Sequence, residues 1–126
     1  MDRSAPTVDD IRTKTTKGTE ARALAEAYFS AWKAHDWTAL RAVLADDATF
    51  RGPLGEADDG DACVAGLTGM TDIEVRARVA DDTDVITFFD LHTKVAPPSP
   101  TAKWVHVVDG RVASIRVTFD PRPLLG

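Results

Sequence analysis

The chain has 126 residues, 44% of them hydrophobic, with 20 acidic and 15 basic side chains and a net charge of −5. That length makes one domain able to bury a sizeable core. It carries no basic stripe for nucleic-acid phosphates, and no apolar run approaches the ~18 residues of a membrane span. Cys63 is the single cysteine, so no disulfide forms within the chain. With no signal-peptide core at the N-terminus, a soluble cytoplasmic protein that binds neither nucleic acid nor membrane is expected.

Residues 1–18 mix Thr, Lys, Asp and Pro around isolated Val8 and Ile11, which predicts a flexible arm ahead of one domain over 19–126. From Thr19, Leu24, Tyr28, Ala31 and Trp32 recur at helical spacing. Thr19 is placed to cap that helix and Glu20 suits its first turn. His35-Asp36 breaks the run, and Asp36 caps a second helix with Trp37, Leu40, Val43 and Leu44 on its apolar face. A short strand over Ala48–Arg51 ends at Gly52-Pro53. A third helix is expected over Ala62–Leu67.

The second half reads as strands. Ile73, Val75, Ala77 and Val79 alternate with charged residues, as a half-buried strand does. After the Asp81–Asp84 turn, Val85–Val95 carries its apolar residues mainly at odd positions, leaving Asp90 and His92 to point outward. Pro97, Pro98 and Pro100 suit a loop or a sheet edge. Asp109-Gly110 then predicts a two-residue hairpin turn between Ala102–Val108 and Arg111–Phe119. Pairing Val108 with Arg111 and propagating outward puts Ala102, Trp104, His106, Ala113, Ile115, Val117 and Phe119 on the inward face. Lys103, Val105, Ser114, Arg116 and Thr118 then face outward, toward solvent or a subunit. A bulge would reverse this assignment along one strand.

Ala25-Glu26-Ala27-Tyr28-Phe29, Asp36-Trp37-Thr38-Ala39-Leu40, Ala45–Phe50 and Gly52-Pro53-Leu54-Gly55, in that order, resemble the nuclear transport factor 2-like superfamily. Asp109-Gly110-Arg111-Val112 with Phe119-Asp120-Pro121 resembles the closing hairpin of its SnoaL-like branch. The resemblance covers about residues 19–123. It implies an α+β cone in which a strongly curved antiparallel sheet and three helices enclose a concave pocket. It also implies dimerisation through the sheet.

The superfamily hosts isomerases, cyclases, hydrolases and proteins without chemistry, so the fold alone assigns no activity. Tyr28 matches the oxyanion-hole tyrosine of the ketosteroid isomerases. Their base position falls on Gly52, and their second acid falls near Ala102 or Lys103. The last-strand aspartate of cyclases and epoxide hydrolases corresponds to Val117. The catalytic carboxylates of the family are therefore absent.

His106, placed inward beside Trp104, is the polar candidate for a general base, since imidazole titrates near neutrality. Its plainer reading is a structural histidine bonded to a backbone carbonyl. Tyr28 is either core packing or a hydroxyl donor to oxyanion charge. The acidic clusters are read as caps and turns rather than metal ligands. The expected pocket is lined by Tyr28, Trp32, Phe50, Phe89, Trp104, His106, Ile115 and Phe119, with no metal and no cofactor.

Aromatic walls with few polar groups suit a lipophilic small molecule. The leading expectation is a small-molecule-binding protein, an isomerase, cyclase or hydrolase in its catalytic form, with His106 and Tyr28 as its catalytic pair. The alternative is a non-catalytic dimerisation domain with a vestigial pocket, associating through Ile86, Phe88, Val105 and the proline loop. A homodimer is expected in both.

Overall fold

A computed structural model describes the backbone of residues 8–125 and the side chains of residues 20–125. Residues 1–7 of the expected arm, and Gly126, lie outside the described residues. Helix α1 runs Val8–Ala34, so it begins upstream of Thr19. No proline interrupts residues 8–34, and one interior glycine, Gly18, costs only about 1 kcal/mol. Thr19 therefore continues a helix instead of capping one.

The break at His35 has a clear geometry. His35 adopts a left-handed φ of 57°. The Asp36 N–H donates to the Ala31 carbonyl at 2.8 Å and the His35 N–H to the Trp32 carbonyl at 3.0 Å. These two bonds close α1 as a Schellman motif and satisfy its free carbonyls. Asp36 then caps helix α2 (Trp37–Val43), accepting from the Ala39 N–H at 3.1 Å.

Strand β1 spans Leu44–Gly52, and Pro53-Leu54 turns it into β2 (Gly55–Ala57). Helix α3 runs Gly60–Ala65, starting before Ala62 because the Asp59 carboxylate accepts the Ala62 N–H at 2.7 Å. Four long strands follow: β3 (Asp72–Ala80), β4 (Asp84–His92), β5 (Ser99–Val108) and β6 (Arg111–Thr118), with a terminal turn of helix, α4 (Arg122–Leu125). Pro100 lies within β5, in register with Asp90.

The six strands form one sheet in the order β2-β1-β6-β5-β4-β3. Its pairs are antiparallel except that β1 runs parallel to β6. The sheet is thus mixed at this junction, where a wholly antiparallel one was expected. Bulges interrupt β1, β3 and β6 against their partners, and bulges bend strands. The sheet curves around α1 and α3.

The Asp109-Gly110 turn forms as the sequence predicts, with positive φ at both residues and Val108 opposite Arg111. Two residues further in, the pairing slips. His106 opposes Ser114, Trp104 opposes Arg116 and Lys103 opposes Val117, with the register shift between His106 and Val107. Because side chains alternate with period two, this one-residue slip turns β5 over. Lys103 and Val105 face inward, while Trp104 and His106 face outward. That corrects the facing expected for all four. On β4 the odd positions Val85, Thr87, Phe89 and Leu91 are buried as the sequence predicts.

The core gathers Tyr28, Phe29 and Trp32 of α1, Leu40 of α2, Cys63 of α3, and the inward residues of β1, β3, β4, β5 and β6. Phe29, Trp32 and Phe89 meet edge-on or tilted at 5.2–5.9 Å between centroids, a geometry favoured by aromatic quadrupoles.

Candidate functional site

Between α3, the β1–β2 turn and the concave sheet lies a cavity of about 200 Å³. Trp32, Phe50, Phe89, Leu91, Cys63 and Val117 line it, as do Pro53, Leu54 and Glu56 of the β1–β2 hairpin, Met70 after α3 and Phe119 after β6. Its surface is chiefly carbon. Lys103 also lines it, and is the one basic side chain among the described residues that does.

Lys103 is 1% exposed. Its ammonium nitrogen lies 2.9 Å from the Tyr28 hydroxyl, and no carboxylate pairs with it among the described residues. Five rings surround it, with Trp32 at 4.1 Å, Tyr28 at 4.9 Å and Phe29, Phe50 and Phe89 between 5.4 and 5.9 Å. Their faces offer cation–π attraction, on the order of 2 kcal/mol for the best of them when desolvated. Burial, which disfavours the charged form, pulls the amine down to about 7. The neutral amine is therefore far easier to form here than in an exposed lysine.

Burial acts on the neighbouring acids in the opposite direction. It pushes the Tyr28 hydroxyl well above the ordinary range, so that group stays protonated beside the amine. It also raises the Cys63 thiol, whose sulfur contacts the Ala48 carbonyl at 3.4 Å. Cys63 is consequently a thiol at neutral pH.

The sequence-selected residues divide between two faces. Trp32, Phe50, Phe89 and Phe119 line the cavity; Tyr28 lies behind its wall, fully buried and bonded to Lys103. Ile115 is fully buried in the core outside the cavity lining. Trp104 and His106 stand on the opposite, convex face. There the Trp104 indole N–H donates to Asp84 Oδ1 at 2.6 Å, and His106 Nδ1 lies 2.9 Å from the same oxygen. Burial alone would push the Asp84 carboxyl up. Hydrogen bonds from Trp104, Thr83 and His106 outweigh that and hold it below the usual carboxylate range. His106 is thus part of an outer-face network, away from the cavity it was expected to serve.

Asp90 points outward as expected and pairs with Arg76 at 2.7 Å. The acidic clusters act structurally. Asp36 and Asp59 cap helices, Asp81 accepts the Thr83 and Asp84 N–H groups, and Asp46 and Asp61 share Arg41.

Lys103 is the residue that strand-face reasoning missed. A signal for it existed, because the second-acid position of the isomerases had been counted to Ala102 or Lys103. The two other carboxylate positions, Gly52 and Val117, also meet in this cavity, where a Cβ built on Gly52 would come 2.5 Å from Val117 Cγ1.

A curved sheet wrapped around helices, with a cavity on its concave side, defines the cone of nuclear transport factor 2-like proteins. A model of the SnoaL-like domain matches residues 25–118, and the chain belongs to that family. An NTF2-like protein of unknown function from Cytophaga hutchinsonii superposes with a TM-score of 0.78 at 23% identity, covering 84% of this chain and 95% of its own. A protein from Kribbella flavida gives 0.78 at 28% identity, with coverage of 85% and 92%. An LEH-like epoxide hydrolase from M. tuberculosis gives 0.74 at 21% identity, with coverage of 86% and 89%. No curated protein matches the chain. No helix among the described residues is long and apolar enough to cross a membrane.

Proposed function

We propose that this protein binds a small lipophilic molecule in the cavity and acts on it by proton transfer at Lys103. The observation that carries the reading is the pairing of an almost wholly apolar cavity with one buried amine bonded to the Tyr28 hydroxyl. The chamber is smaller than the roughly 300–1,000 Å³ of sites for drug-sized ligands, so its ligand is a compound of one or two rings. A ligand carbonyl directed at Lys103 would meet an ammonium or a tyrosine hydroxyl, both able to stabilise developing oxyanion charge. The neutral amine is the base that a proton transfer needs. Lys103 takes the role that the sequence had suggested for His106.

Acetophenone tests the binding reading by ligand-observed NMR. Saturable binding is expected, with affinity at least tenfold weaker in Ala62→Phe, which fills the chamber. His106→Ala, on the other face of the sheet, should bind as the wild type does. Absence of saturable binding, or binding indifferent to Ala62→Phe, would sink the reading.

A second reading rests on the convex face, where Val79, Phe88 and Trp104 are exposed on adjacent strands. Single exposed apolar residues are ordinary, but neighbouring ones suit a subunit contact. In this reading a second copy covers them, without Val105, which is fully buried on the other side. Sedimentation velocity at micromolar concentration should then give a dimer; a monomer would end this reading.

A further inference from the structure

The cavity brings together features that suit covalent chemistry as well as binding. Lys103 is buried against aromatic rings with no carboxylate partner among the described residues, and it lines the open space. The Tyr28 hydroxyl sits 2.9 Å from that nitrogen, close enough to pass a proton. A desolvated lysine in an apolar pocket is an activated nucleophile toward carbonyl groups.

We infer that Lys103 forms a reversible imine with small lipophilic aldehydes or ketones bound in the cavity, with Tyr28 relaying protons between nitrogen and oxygen. This deepens the proposed function and rests on the same cavity. The neutral amine adds its lone pair to the carbonyl carbon while the C=O π pair moves to oxygen. The resulting carbinolamine loses its hydroxyl group as the nitrogen lone pair forms the C=N bond. Both amine hydrogens leave in the water released, so no oxidant or reductant is consumed. Hydrolysis by the reverse path returns the free amine. With the amine drawn down to about 7 by burial, much of it is unprotonated at neutral pH. The other ionisable groups near it are Tyr28 on α1, the Cys63 thiol on α3 and Glu56 beside the β1–β2 turn.

The test uses the intact protein with 3-phenylpropanal and sodium borohydride, which reduces an imine to a stable secondary amine. Peptide mapping should place an adduct of the aldehyde's mass less one oxygen on Lys103, in at least tenfold excess over any other lysine. Lys103→Met should lose that adduct. Tyr28→Phe should slow its formation at least tenfold. The wild-type peptide map alone decides the matter should a variant fold poorly. Acetophenone bound but Lys103 unlabelled would overturn the imine and leave the proposed function standing. Neither binding nor labelling would overturn both.

Discussion

Lys103→Met should make the protein more stable at pH 6, by about 2 kcal/mol, and should remove a rise in stability that the wild type shows between pH 7 and pH 9. The argument begins with the amine's descent from 10.5 to about 7 on folding. That difference corresponds to roughly 5 kcal/mol of penalty wherever both states are charged. Methionine has similar length and no charge to desolvate, so it escapes the penalty. It also forfeits the cation–π contacts, on the order of 2 kcal/mol, and leaves the Tyr28 hydroxyl unpartnered at about 1 kcal/mol. The difference stays in favour of methionine.

The sign of the pH dependence follows from which state holds the proton. Below pH 7 both states are protonated and the folded chain bears the whole penalty. Between 7 and 10.5 the unfolded chain binds more protons at this site, so stability rises with pH. Lys103 contributes about 2–3 kcal/mol over the two pH units from 7 to 9. Above pH 9 the raised Cys63 thiol opposes the rise, and above pH 10 the raised Tyr28 hydroxyl does so too. Each of these acids ionises more readily once unfolded, so each loses stability as pH increases. Urea titrations at pH 6, 7.5 and 9 on both proteins isolate the Lys103 contribution as their difference. A variant less stable than wild type at pH 6, or a gap that does not shrink by pH 9, would show that Lys103 is not a buried, depressed amine.

This lysine also shows where the sequence is legible and where it is not. Element order, the Asp36 cap, the Asp-Gly turn and the buried odd face of β4 all follow from local chemistry, and local chemistry is written in consecutive residues. The family pattern between Ala25 and Asp120 added the cone. The facing of β5 depended on something else, a one-residue slip at Ala113 between two correctly identified strands. Nothing in Arg111–Thr118 marks that bulge: there is no glycine and no proline in it. Ordinary burial preferences then compounded the slip. They favour Trp104 inside and Lys103 outside, whereas the structure holds the ammonium among five rings and gives the indole N–H to Asp84. The candidate site was thus half legible. Its aromatic walls could be read from the sequence, and its buried lysine could not.

The same cavity leaves no room for a side chain at Gly52. Gly52→Ala should destabilise the protein by about 1–3 kcal/mol, the usual cost of an extra methyl in a filled space. The added Cβ would lie 2.5 Å from Val117 Cγ1 and 3.2 Å from Phe50 Cε1. Neither neighbour yields easily, since valine is stiff at χ1 and the Phe50 ring borders the cavity wall. Removing glycine's backbone freedom would stabilise the chain by only about 0.4–1 kcal/mol, so the clash decides the sign. In the double variant Gly52→Ala/Val117→Ala the offending methyl is gone, and most of the Gly52→Ala cost should disappear. A coupling of at least 1 kcal/mol across the cycle, measured by urea denaturation, is the expected result. Additive costs would mean that the two positions do not touch. With coupling, an acid at position 52 would require a smaller residue at 117 as well.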